Sequence, residues 1–140
     1  MPYKFLTHPQ GGVCFGNVHE MRSGGLIIPA GEIRLAPGKH TPPNWGWGAD
    51  HIWAKHALEM RNRGFLTYED VPAYVATIIQ PNTRLYFEGG EIRRIKLMAV
   101  RATNGIAVLE FRKQRGGPIW SVVTAYSGTK MHGTLVGTVH

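Results

Sequence analysis

Residues 91–126 read EIRRIKLMAVRATNGIAVLEFRKQRGGPIWSVVTAY. Three runs rich in β-formers are separated by Asn104–Gly105 and by the RGGP turn at residues 115–118. Asn-Gly between apolar runs is a strong hairpin signal, because both central residues of a two-residue turn need a positive φ. The stretch therefore predicts three antiparallel strands in sequence. TRLYFE (83–88), closed by Gly89–Gly90, places a strand before them, and GTLVGTV (133–139) places one after. The second half of the chain thus reads as a four- to five-stranded meander.

Upstream, the period changes from two to 3.6. Asp50 is a good N-cap for a helix carrying HIWAKHALEMRNR (51–63), with Gly64 as its stop. Ile52, Trp53, Ala57 and Met60 supply its apolar surface. A second helix follows, entered through Thr67 and Asp70 at capping-box spacing, with Asp in place of the usual Glu or Gln. Pro72 sits in its first turn, Val71, Val75, Ile78 and Ile79 form its buried stripe, and Pro81 ends it. Before the helices, GGLIIPAGEIRLAPGKH (24–40) predicts a hairpin of Leu26–Ile28 against Glu32–Leu35. TPPNWGWGAD (41–50) reads as a loop, since Pro42 and Pro43 forbid a regular element. The order predicts one α+β domain, with an N-terminal β-hairpin and two helices packed on an antiparallel sheet.

Composition limits the function classes. The chain has 140 residues, 43% of them hydrophobic, which excludes disorder and leaves enough for a core without staples. A single cysteine, Cys14, excludes an intrachain disulfide framework and a Cys-based zinc cluster. No apolar run is long enough to span a membrane, and MPYKFLTHPQ lacks the apolar segment of a signal peptide. A cytoplasmic chain, or one delivered by another protein, is expected. The net charge is +7, and it is uneven: residues 1–70 carry +1 and residues 71–140 carry +6. A basic half predicts a polyanionic partner such as nucleic acid or an anionic membrane, the membrane less so because no basic amphipathic helix occurs.

Several side chains could carry chemistry. His51 and Lys55 are four apart and share a helix face, whereas His51 and His56 lie about 140° apart. His51 near a helix N-terminus suits a near-neutral imidazole beside a phosphate, or else a capping or packing histidine. Trp45 and Trp47 serve either as core caps or as surfaces on which a base stacks. Alternation along IWSVVTAY places Trp120, Val122, Thr124 and Tyr126 on one face. Alternation along IAVLEFRK places Val108, Glu110 and Arg112 together. Arg112 suits bidentate phosphate binding, while Glu110 pairs with it or acts as a base. No phosphate-binding Gly-rich loop, nucleophile elbow, metal-ligand spacing or dinucleotide fingerprint occurs, so neither a metal nor a cofactor is expected.

Taken in order, HIWAKH on a helix, P-x-T before a strand, FR on the central strand, then WSVVTAY and GTLVG, with IRLAPGKH upstream, resemble the phage-associated branch of the barnase–EndoU–colicin–RelE-like (BECR) nucleases. The resemblance covers residues 31–138, leaving 1–30 as an N-terminal extension. It implies a curved antiparallel sheet and metal-independent RNA cleavage by 2′-OH attack, with 2′,3′-cyclic phosphate and 5′-OH products. Carried over by position, His51, His56, Arg112, Thr124 and Tyr126 are the catalytic candidates and Lys55 contacts phosphate. Glu110 and Trp47, from the reading of the residues above, join Lys55 as RNA-binding candidates, tRNA or another structured RNA included. It also implies a toxin or phage effector and an acidic immunity or antitoxin partner. The competing expectations are a non-catalytic nucleic-acid-binding module and a phage structural protein with a nuclease-like fold.

Overall fold

A computed structural model describes residues 4–87, 95–114, 116–128, 130, 131 and 133–140. In chain order the elements are β1 (Gly16–Val18), β2 (Met21–Ser23), β3 (Leu26–Ile28), β4 (Gly31–Arg34), β5 (Lys39–Thr41) and β6 (Trp45–Trp47). Helix α1 (Gly48–Asn62) and a 3-10 turn (Tyr68–Asp70) leading into α2 (Val71–Ile78) follow. Strands β7 (Arg84–Phe87), β8 (Lys96–Arg101), β9 (Gly105–Gln114), β10 (Gly117–Tyr126) and β11 (Thr134–Thr138) complete the fold. It is α+β, with two helices and a seven-stranded mixed sheet in the order β1-β4-β10-β9-β8-β7-β11.

Strands β7 to β10 form the antiparallel meander predicted from residues 83–126, but the turn between β8 and β9 is the three residues Ala102–Asn104. Arg101 pairs with Gly105, and of Asn104 and Gly105 only the glycine has a positive φ. The Gly89–Gly90 turn lies outside the described residues. Strand β11 does not extend the meander beside β10. It crosses to the far edge and pairs with β7. The place beside β10 is taken by β4, running parallel to it.

That parallel pairing overturns the predicted hairpin of residues 26–35. Leu26–Ile28 pairs with Met21–Ser23, while Gly31–Arg34 joins β1 and β10. Ile33 thereby lies beside Trp120, both fully buried, and the Trp120 indole N–H donates to the Pro29 carbonyl at 3.0 Å. Long-range apolar burial wins over the local turn, because a short two-stranded ribbon alone is marginal. The expected loop at 41–50 also contains structure: β5 and β6 form a ribbon with His40 opposite Gly46. Pro42 and Pro43 fall in its turn, where no ladder N–H is needed.

Helix α1 starts at Gly48, two residues before the predicted cap. Trp47 holds the N-cap position, and Asp50 instead accepts the Tyr68 hydroxyl at 2.6 Å. The N–H groups of Ala49 and Asp50 donate to the Ala36 and Pro37 carbonyls. Gly48 permits this approach: it has φ +80°, and a Cβ there would lie 2.7 Å from the Ala36 oxygen. At the second helix, Asp70 accepts the Thr67 N–H at 3.1 Å as predicted.

One core gathers Ile52 and Met60 from α1, Tyr74, Val75 and Ile78 from α2, and Leu85, Leu97, Leu109 and Trp120 from the sheet. The first 30 residues give it Phe15, Val18 and Ile28. The sheet curls until its two ends meet, and Asn17 and His140 exchange backbone hydrogen bonds of 2.8 and 2.9 Å. Among the described residues, no helix is long and apolar enough to cross a membrane.

Candidate functional site

A β-bulge at Val123 decides which side chains share a face. Trp120, Ser121 and Val122 oppose Phe111, Glu110 and Leu109, but Thr124 opposes Val108 and Tyr126 opposes Ile106. Directly opposed residues point the same way. The extra residue therefore moves Thr124 and Tyr126 off the Trp120–Val122 face predicted by simple alternation. They join Val108, Glu110 and Arg112 on the other face, which bulges next to functional sites often accomplish. The bulge thus gathers four of the sequence candidates on one partly exposed surface.

The floor of that surface is charged at one end. Arg112 lies 3.8 Å from Glu110, and Lys96, opposite Glu110, lies 4.0 Å from it on the other side. Glu110 thus links two cations rather than standing free as a base. The Arg112 guanidinium covers the Trp47 ring at 4.4 Å. One face of Trp47 is therefore occupied, and Trp45, 73% exposed, offers the freer stacking surface. Among the described residues, two buried side-chain polar atoms lack a hydrogen-bond partner: Arg112 Nε and Thr124 Oγ1. Each such atom costs about 1–3 kcal/mol, a cost that folding alone does not explain.

Helix α1 runs beside this floor. Its start touches the floor through Trp47 and Arg112, and its middle touches it through His56, whose ring stacks on Tyr126 with centroids 5.6 Å apart. Lys55 is exposed on the helix. His51 is only 5% exposed. Its Nδ1 lies 3.0 Å from Nδ1 of His40 on β5. A contact between two such nitrogens needs one proton, donated by one ring and accepted by the other. Burial, then the nearby His40, Lys55 and His56, hold the His51 pKa below its usual 6.5, while the Trp45 carbonyl opposes them.

The phosphate site expected at the α1 N-terminus is not formed, since two of its N–H groups are engaged by Ala36 and Pro37. The lowered His51 pKa has burial as its main cause. His51 and His56 also do not meet; each belongs to a different network. His56 Nδ1 lies 3.0 Å from Glu59, which accepts the Ser127 N–H at 3.2 Å, and Ser127 Oγ lies 3.2 Å from the Tyr74 hydroxyl. Burial lowers the His56 pKa and the Glu59 carboxylate partly restores it. The arrangement is a carboxylate–imidazole pair through Nδ1.

Two members escaped the sequence reading. Glu59 had a signal, its i,i+3 spacing from His56. His40 had none, because its approach to His51 depends on the β5–β6 ribbon hidden behind two prolines. Among the described residues, no three His, Cys, Asp or Glu side chains gather to hold a metal ion. Comparison with protein-family models, curated proteins and solved structures found no match.

Proposed function

We propose that the chain is a metal-independent endoribonuclease whose substrate lies along the trough between α1 and the open face of β9–β10. The observation that carries this reading is the pair of partnerless buried atoms, Arg112 Nε and Thr124 Oγ1, on the trough floor. Both are closed to solvent in this structure, so a phosphodiester oxygen reaches them once the side chains above shift, and the guanidinium and hydroxyl then suit it. Arg112 and Lys55 hold the phosphate, and Thr124 orients it.

Titratable side chains flank this position; the one that serves as base starts unprotonated and the one that serves as acid starts protonated. At one end, the His40–His51 pair accepts the 2′-OH proton or returns it. At the other, His56, oriented by Glu59, or Tyr126 does the complementary work. His51 and His56 both lie on α1, with His56 at a kink where its φ of −124° and ψ of 17° leave the helical region, so one kinked helix carries both groups. The 2′-oxygen bonds to the adjacent phosphorus as the bond from phosphorus to the 5′-oxygen breaks. The base takes the 2′ proton, and the acid protonates the departing 5′-oxygen. A 2′,3′-cyclic phosphate and a 5′-OH result. Each proton transfer supplies about 10²–10⁴-fold. An acidic immunity or antitoxin protein would cover the basic trough through charge complementarity.

The test is RNA and DNA oligonucleotides of one sequence, incubated with the protein in EDTA. Cleavage of RNA alone is expected, because DNA lacks the nucleophile. Cleavage of both, or undiminished RNA cleavage by His51→Ala, would contradict the proposal. The 5% exposure of His51 favours a second reading, in which the imidazole pair is structural and the face binds RNA without cutting it. Salt-sensitive binding without cleavage would mark that case.

A further inference from the structure

The open sheet face continues past Tyr126. Tyr126 packs on a small cluster of Tyr86, Met98 and Ile106, with Val100 beside it. Beyond this cluster lies a cavity of about 470 Å³, lined among others by Thr83, Arg84, Tyr86, Val100, Arg101 and Met131. The register places Arg84 opposite Val100, and Val100 opposite Ile106, on the face that carries Thr124 and Arg112, while Arg101 and Thr83, one residue along each strand, line the cavity from the end of the ladder.

Its chemistry is specific. No carboxylate lines the cavity among the described residues, and no ion pair joins Arg84 or Arg101 to a described acid. Arg101 is held in place: its Nη1 lies 3.4 Å from the Thr83 hydroxyl. Thr83 is 1% exposed and fixed by donating to the Ile78 carbonyl at 2.7 Å and accepting the Gln80 N–H at 3.1 Å. Val100 and the half-exposed Met131 add apolar wall. Two arginines beside an apolar wall fit a nucleotide, with phosphate on the cations and ribose or base against the wall. The larger cavity, about 760 Å³ between the N-terminal segment and α2, has no Lys or Arg in its lining.

We infer that the Arg84–Arg101 cavity is a second phosphate-binding subsite, holding single-stranded RNA at a nucleotide remote from the one at Arg112. Six residues along β9 and two strand spacings separate Arg84 from Arg112, about 20 Å. A strand of at least about four nucleotides bridges them. The identity of the ligand rests on the RNA reading above, but the subsite acts in binding and needs no cleavage.

The experiment uses fluorescein-labelled 2′-O-methyl RNA, which has no free 2′-OH to attack. An octamer and a dinucleotide are titrated by anisotropy against the parent, Arg84→Gln and Arg84→Gln/Arg101→Gln, with thermal melts beside them. The octamer should bind the double variant about tenfold more weakly, with a salt slope shallower by about one to two. Dinucleotide binding should not change. Arg84→Gln alone, at an exposed position, should melt like the parent and lose part of the octamer affinity. Equal octamer binding by parent and Arg84→Gln overturns the inference, as does a parent that binds polyglutamate but no octamer. Arg84-dependent octamer binding by a parent that never cleaves RNA leaves the subsite standing and removes only the nuclease reading.

Discussion

On one face of the β9–β10 ladder, Leu109, Trp120, Val122 and Ala125 are buried, and the Trp120 indole N–H finds the Pro29 carbonyl. On the other, Glu110, Arg112 and Thr124 are half-buried, and Arg112 Nε and Thr124 Oγ1 have no partner among the described residues. The same two strands thus carry a satisfied face and an unsatisfied one. The Val123 bulge assigns Thr124 to the second. Substitutions on the first should therefore cost stability, and those on the second should cost function while sparing stability.

The largest effect belongs to the closed face. Trp120→Ala should lower unfolding free energy by about 3–5 kcal/mol, read by urea denaturation. A loss under 1 kcal/mol would show that the two faces do not differ as described. Next, Arg112→Ala should reduce RNA cleavage by about 10²–10³-fold with a melting temperature close to the parent's. Parallel loss of folding would assign Arg112 to structure instead. His40→Gln should lower cleavage by about 10²-fold and alter the pH–rate profile, because the amide cannot titrate. An unchanged profile would make the imidazole pair structural.

Thr124→Val sharpens the contrast further. Replacing a partnerless buried hydroxyl with a methyl should leave stability unchanged or raise it slightly, while cleavage falls. A stability loss above 1 kcal/mol would reveal a hydrogen bond that folding needs. The smallest effect is acid sensitivity. His51 and His56 both have folded pKa values below 6.5, so the unfolded chain binds more protons beneath that value. Stability should be fully present above about pH 6.5 and fall as the pH drops below it, by at most about 1.4 kcal/mol per unit for each group. Denaturation at pH 7.5 and 5.5 should show the fall, with a smaller one in His51→Gln. Greater stability at pH 5.5 would reverse the assigned sign.

What the sequence revealed divides along a physical line. The period-2 runs specify β8, β9 and β10 through contacts between chain neighbours, although the turn after β8 is Ala102–Asn104 rather than Asn104–Gly105, and Thr67 with Asp70 marks the entry to α2 for the same reason. The parallel β4–β10 pair and the β7–β11 pair join segments far apart in sequence, and no local pattern specifies either. The β5–β6 ribbon was hidden by prolines that occupy its turn. For the site, Arg112 and Glu110 were legible from alternation alone. Thr124 and Tyr126 were identified on the wrong face, since a bulge shifts the register without leaving a turn residue to announce it. His40 became visible only when β5 approached α1.

The most direct measurement is end-group analysis of total RNA and tRNA after incubation with the protein in EDTA, with His51→Ala and Arg112→Ala beside the parent. The account predicts 2′,3′-cyclic phosphate and 5′-OH ends from the parent and their loss in both folded variants. An intact substrate with the parent, or equal cleavage by parent and variants, would contradict it.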